Sequence, residues 1–197
     1  MEDLYLTGPR ENNMRVGPGT LLIAPPKMTD GRFVKSVILV THHNSAGTFA
    51  LCLNKPTRND LKEFSRDIGL DKELPFSLYW GGPVNQQSLW MIHDNNWENE
   101  HSMIVTDKWR VTSNESMFHH LADGDAPRNF RLVFGFCSWA PGQLEMELAG
   151  TFPFTRSSSW LILPNSNPEF VLETDPSKLW KTSVELCGQQ AVNNWMA

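Results

Sequence analysis
The chain has 197 residues, 40% of them hydrophobic and 20% charged, and 17 Lys+Arg against 22 Asp+Glu leave a net charge of −5. This composition excludes wholesale disorder, and a chain of this length buries enough surface in one core to fold without disulfides or a structural metal. No Lys/Arg run is present, so the cations that give affinity for phosphate backbones are not clustered, and direct nucleic-acid binding is disfavoured.

Residues 1–18 read as an irregular arm, broken at Gly8-Pro9 and Gly17-Pro18 and lacking the basic and apolar stretches of a signal peptide. Together with the sparse, odd set Cys52, Cys137 and Cys187, this points to a cytoplasmic chain with reduced thiols. Residues 20–24, closed by Pro25-Pro26, suit a strand, and the β-branched run 36–42 suits a central one. Asn44-Ser45-Ala46-Gly47 supplies a turn, and 48–54 follows as the partner strand. Phe49, Leu51 and Leu53 share one face of it; Thr48, Ala50, Cys52 and Asn54 form a small-residue face open to close approach. A helix is predicted over 60–68, with Asp60 and Glu63 at capping-box spacing and Leu61, Phe64 and Ile68 as its stripe.

Strands are predicted over 77–80, 87–93 and 102–106, then a helix over 113–122 with Met117, Phe118 and Leu121 inward. Residues 129–139 read as a buried central strand, with Phe130, Leu132, Phe134 and Phe136 on one face and Val133 and Cys137 on the other. A short helix over 141–148 and a strand over 159–163 follow. A last helix has Asp175 as N-cap, Pro176 at N1, Trp180, Val184 and Cys187 inward, and Gly188 as its stop. Residues 19–188 then make one domain and 189–197 a C-terminal tail. Strands and helices mix without strict alternation, which argues for an α+β or α/β sandwich with a mixed sheet. No apolar run approaches the roughly 20 residues of a membrane helix.

Motifs for chemistry are sparse. There is no P-loop, no dinucleotide-binding glycine fingerprint, no Gly-x-Ser-x-Gly, no Cys-x-x-Cys and no His-Glu-x-x-His. His42-His43 on a strand and His119-His120 on a helix diverge and cannot share a metal, and Asp123-Gly124-Asp125 reads as a solvated turn. The expectation is therefore no metal, no cofactor and no catalytic set.

Three segments stand out. Asn54-Lys55-Pro56 ends a strand, because Pro cannot continue a ladder and Asn can bond nearby backbone. Trp80-Gly81-Gly82-Pro83-Val84 pairs glycines that allow either close backbone packing or a ligand-facing turn. Gly135-Phe-Cys-Ser-Trp-Ala-Pro-Gly-Gln-Leu-Glu-Met-Glu-Leu148 runs a buried strand into a helix with Pro141 at N1 and Gly142 at N2. Gln143 at N3 can reach back to the N-cap backbone, Leu144 and Leu148 point inward, and Glu145 faces either a site or water.

These residues carry a resemblance. Gly19-Thr-Leu-Leu-Ile-Ala-Pro-Pro-Lys-Met28, Phe33, Ser36-Val37, His43-Asn-Ser-Ala-Gly47, Asn54-Lys-Pro56, Gly81-Gly-Pro-Val84, Trp139-Ala-Pro-Gly-Gln-Leu-Glu-Met-Glu147, Trp160 and the Asp175 to Trp180 helix start, in that order, are similar to the AlgH family of bacteria. The resemblance spans about 19–188. It implies a compact cytosolic α/β (α+β) sandwich with a mixed, largely antiparallel central sheet flanked by helices, a label of transcriptional regulator, no assigned reaction, and motifs surrounding a shallow, partly apolar cleft suited to a partner. Two glycines usual in the family are Ala50 and Ser138 here, which implies a tighter or differently shaped cleft.

The preferred reading is a non-enzymatic binding module that takes a protein or peptide partner, with neither membrane nor nucleic acid as its target. Its expected cleft gathers His43, Asn54, Lys55, Pro56, Trp80, Gly81, Gly82, Pro83, Trp139, Gly142, Gln143 and Glu145. Trp anchors suit such a surface. The alternatives are an enzyme using His43, Asn54, Lys55, Cys137 and Glu145, which requires a shifted Cys or Glu beside a His in a deep pocket, and a DNA-binding regulator with a contiguous basic face.

Overall fold
The computed structural model describes residues 16–57, 61, 66, 74–151, 159–164 and 166–196. Among these residues ten strands run in chain order: β1 (Leu21–Ile23), β2 (Val37–Asn44), β3 (Gly47–Cys52), β4 (Lys55–Pro56), β5 (Leu78–Trp80), β6 (Val84–Asp94), β7 (Ser102–Ile104), β8 (Trp109–Thr112), β9 (Phe130–Trp139) and β10 (Leu161–Leu163). The longer described helices are α1 (Ser116–Asp123), α2 (Gln143–Ala149), α3 (Pro168–Glu173) and α4 (Pro176–Met196). The strands form one sheet in the order β10-β1-β2-β3-β9-β6-β8-β7, with β5 beside β9 and β4 beside β5. Every pairing is antiparallel except β5 with β9. The fold is thus the expected mixed, largely antiparallel sandwich.

Helices cover both faces. The Leu51 and Leu53 face of β3 packs with Val171 of α3 and Leu179 of α4. The small-residue face, Ala50 and Cys52, packs with Leu144 of α2, Trp139 and Trp160. Arg131 of β9 is 5% exposed and has backbone carbonyls for partners: Leu53 at 3.0 Å, then Val171, Leu172 and Thr174 at 3.3 Å. Its cation thereby caps the C-terminal end of α3, where the helix dipole is negative.

Several expectations are corrected. Phe136 leaves the Phe134 face and joins Val133 in the other cluster, because Gly135 has φ +73° and the β6 pairing slips there. A bulge of this kind reverses the alternation of side chains. Lys55 and Pro56 do not simply end a ladder; they pair with Trp80 and Tyr79 of β5. The 102–106 strand is shorter and ends at Ile104, and the 87–93 strand starts at Val84. Helix α3 was not foreseen; Asn167 caps it by accepting from the Glu169 amide at 3.3 Å, with Pro168 at its start. Gly188 does not stop α4, which continues to Met196. Gly188 meets nothing within 4 Å and carries no left-handed φ, so it costs the helix about 1 kcal/mol without turning it. Of the helix expected over 60–68, Leu61 and Arg66 are described, both helical; the Asp60–Glu63 cap lies outside the described residues, as does most of the arm.

The connection from β5 to β6 is three residues long and passes across β9. Strand β5 lies along one edge of β9, pairing Leu78–Trp80 with Leu132–Phe134, while Val84 pairs with Phe136 on the other edge. Gly81, Gly82 and Pro83 make the passage. The Gly81 amide donates to the Phe134 carbonyl at 2.6 Å, and the Gly81 carbonyl accepts from the Cys52 amide at 2.8 Å. A Cβ on Gly81 would collide with the Gly135 carbonyl, and one on Gly82 with the Phe136 backbone. Backbone cannot yield as a flexible side chain can, so both positions exclude every side chain. Gly82→Ala is therefore expected to cost roughly 3 kcal/mol in urea unfolding, whereas Gly31→Ala, with open space around it, stays within about 0.5 kcal/mol.

His93 in β6 is fully buried. Its ring meets the Asp94 carbonyl through Nδ1 at 2.8 Å and the Thr112 hydroxyl through Nε2 at 3.0 Å. Nδ1–H donates to the carbonyl, and in the neutral ring Nε2 accepts from the hydroxyl. Burial pushes its pKa below the ordinary 6.5, against the pull of the Asp94 carbonyl. Above that ordinary value both folded and unfolded states hold it neutral and its contribution is complete. Below it the unfolded chain takes up a proton that the folded chain refuses, so stability falls as pH falls. The unfolding free energy from urea titrations is expected to drop from pH 7 to pH 5, by at most about 1.4 kcal/mol per pH unit from this residue; His93→Gln should flatten that slope.

Candidate functional site
Strand β9 runs buried to Trp139, and Ala140-Pro141-Gly142 turns the chain into α2. Gly142 sits at φ +74° as N-cap, so the helix starts at Gln143 rather than at Pro141. The predicted reach-back is present even so: the Gln143 Oε1 accepts from the Ala140 amide at 3.1 Å. Leu144 is fully buried and fixes the rotation of the helix. Gln143 and Glu147, one turn apart, then share a face, and the Gln143 amide donates to Glu147 Oε1 at 3.1 Å. The other oxygen of Glu147 accepts two indole N–H groups, Trp139 at 3.1 Å and Trp160 at 2.9 Å.

This network forms one wall of a cavity of about 400 Å³. The facing wall is the loop after β1. Asp30 and Arg32 form a bidentate pair there, with contacts of 2.6 and 3.1 Å; the Arg32 guanidinium holds the Asp30 carboxyl below its usual range. Phe33 packs against Trp160 at 5.6 Å and Trp80 at 5.7 Å between ring centroids. Met28 and Thr29 complete that side, and Pro83, Cys137 and Ser138 the rest.

Of the expected cleft residues, Pro83, Trp139 and Gln143 line this cavity. Trp80 stands behind Phe33. Gly81 and Gly82 are buried in the crossing over β9, which answers the choice between packing and a ligand-facing turn in favour of packing. Asn54 is 9% exposed and ties the start of β2 to the end of β3, accepting from the Val37 amide at 2.8 Å and donating to the Lys35 carbonyl at 2.9 Å. Lys55 donates to the Val34 carbonyl at 2.8 Å, and Pro56 pairs with Tyr79. His43 bonds Thr48 at 2.8 Å and lies 3.5 Å from the exposed Glu145, outside the cavity lining. Gly142 is exposed and also outside that lining.

Cys137 is the one member of the expected enzymatic set that reaches the cavity. It is 1% exposed, burial pushes its thiol well above the ordinary value, and the sulfur donates to the Gly81 carbonyl at 3.4 Å. Burial also pushes the neighbouring Cys52 up to about 11. Both thiols stay protonated at neutral pH and are poor nucleophiles. Among the described residues no three of His, Cys, Asp and Glu converge as metal ligands, and no helix is long and apolar enough to cross a membrane.

Sequence reasoning did not assign Asp30, Arg32 or Glu147 to the cleft. The four-residue spacing of Gln143 and Glu147 was the available signal; the Asp30–Arg32 pair has no comparable one. Removing Glu147 orphans two mostly buried indole donors, each 6% exposed as a residue. Glu147→Ala is expected to cost about 2 kcal/mol or more in urea unfolding, while Glu145→Ala at its exposed contact stays within about 0.5 kcal/mol.

The AlgH-like family model matches residues 21–192. A UPF0301 protein of Shewanella woodyi is 31% identical over 176 residues, covering 85% of this chain and 89% of its own. One of Methylococcus capsulatus is 28% identical over 171 residues, covering 85% and 87%. The solution structure of the AlgH protein from Pseudomonas aeruginosa superposes with a TM-score of 0.69 at 23% identity, over 85% of this chain and 87% of that one. An X-ray crystal structure of a Corynebacterium diphtheriae protein gives 0.67 at 23% identity, over 86% of each. The same fold recurs in both, and the match along nearly the whole sequence means that this chain belongs to the AlgH-like family.

Proposed function
We propose that this chain is an AlgH-like binding protein that holds a polypeptide segment in the cavity between α2 and the 25–33 loop, without chemistry of its own; a regulatory effect then passes through the partner. The observation that carries the reading is the pinned wall of Trp139, Trp160, Gln143 and Glu147, whose donors are held within the wall beside a hollow lined by both aromatic and polar side chains. A few fixed polar groups among aromatic side chains are the usual make-up of a ligand site, and about 400 Å³ admits one or two side chains of a partner, not a folded domain. The protonated Cys137, with no histidine beside it among the described lining residues, favours grip over nucleophilic attack.

Selection of displayed random dodecapeptides on the full chain tests this. The enriched peptides are expected to bind wild type and the Ile104→Ser control alike, Ile104 being an exposed residue of β7 outside the cavity lining. Phe33→Ala combined with Gln143→Ala should weaken binding about tenfold or more at an unchanged circular-dichroism spectrum. Equal binding by the double variant would overturn the assignment of the site.

A further inference from the structure
We propose that the bound segment presents a basic side chain, lysine or arginine, to the carboxylate of Glu147. The inference rests on the binding reading above and adds the chemistry of the ligand. Glu147 is half-buried and, among the described residues, accepts three hydrogen bonds, all from neutral donors: the Trp139 and Trp160 indoles and the Gln143 amide. These fix the carboxylate in place without neutralising it. A carboxylate has about four acceptor directions, so the described donors leave one on Oε1 for a ligand.

No Lys, Arg or His among the described residues forms an ion pair with Glu147. The cation in the cavity wall is Arg32, and Asp30 already engages it through both oxygens. Among the described residues, then, one negative charge in the cavity lining has no cation paired with it. A partly desolvated charge gains most from a cation that arrives with its own hydrogen-bond donors.

The aromatic walls suit the same ligand. Trp139 meets Trp160 at 82° and Phe33 meets Trp160 at 75°, so rings stand at steep angles around the hollow. Such walls take the methylene stem of a lysine or arginine and attract its head. The protein already seats one guanidinium in this way: the Arg32 Cζ lies 5.5 Å from the Phe33 ring centroid. The net charge of −5 adds a long-range pull on basic segments and repels acidic ones.

The dodecapeptide selection decides the matter through the composition of what it enriches. Lysine or arginine is expected at one position about tenfold over aspartate or glutamate. Replacing that residue by norleucine in a synthetic copy should weaken binding about tenfold, and added sodium chloride should narrow the gap. The two copies should bind Glu147→Gln alike. If that variant does not fold, the lysine-to-norleucine comparison on wild type still decides. Enriched peptides without a basic residue, or with an acidic one read by Arg32, overturn this proposal and leave the binding reading standing. No enrichment at all overturns both.

Discussion

The passage of Gly81 and Gly82 over β9 is the constraint on which the remaining architecture hangs. It lets β9 carry β5 and β3 along one edge and β6 along the other within three residues of connection. Backbone lies on backbone there, with no room for a Cβ on either glycine. Because Gly81 bonds both Phe134 and Cys52, the crossing also sets where β3 ends and where β9 passes from β5 to β3 along that edge. The end of β9, held by β3, is what delivers Trp139 and α2 to the cavity. The hollow is a by-product of how the sheet is threaded, and Pro83, the last residue of the passage, is part of its lining.

Much of this was legible in the residues. Alternation placed β2, β3 and β9, and the small-residue face read on β3 is the one that Leu144 of α2 and Trp160 approach. The turn chemistry before α2 led to the Gln143 contact even though the helix began two residues late. What escaped was whatever depended on non-local backbone contact. The glycine pair fitted packing and ligand approach equally, since both need the same missing Cβ. Gly135 looked like one more strand residue, and its left-handed φ moved Phe136 to the other face. Gly188 looked like a stop, but a stop requires a left-handed turn that nothing in the sequence enforces.

The cleft was half legible for a related reason. Residues on the strand-to-helix turn were found because they are contiguous. The opposite wall comes from the loop after β1, and Glu147 was set aside in favour of Glu145. The rotation of α2 decides between these two, and it is fixed by the buried Leu144 and by two indoles far apart in the sequence. One carboxylate thereby ties Trp139 to Trp160, so the shape of the hollow is held by polar contacts as well as by packing. A wall whose donors are already satisfied loses little freedom when a ligand arrives.

The border strand β7 has a separate consequence. Among the described residues it ends the sheet, three residues long, with Ile104 74% and Met103 48% exposed. Unsatisfied main-chain groups beside greasy side chains are the template on which like molecules stack into fibrils. Here the guard is brevity, not charge: the chain turns away at Val105 and Thr106 to meet Trp109, before a neighbour could find a ladder long enough to climb.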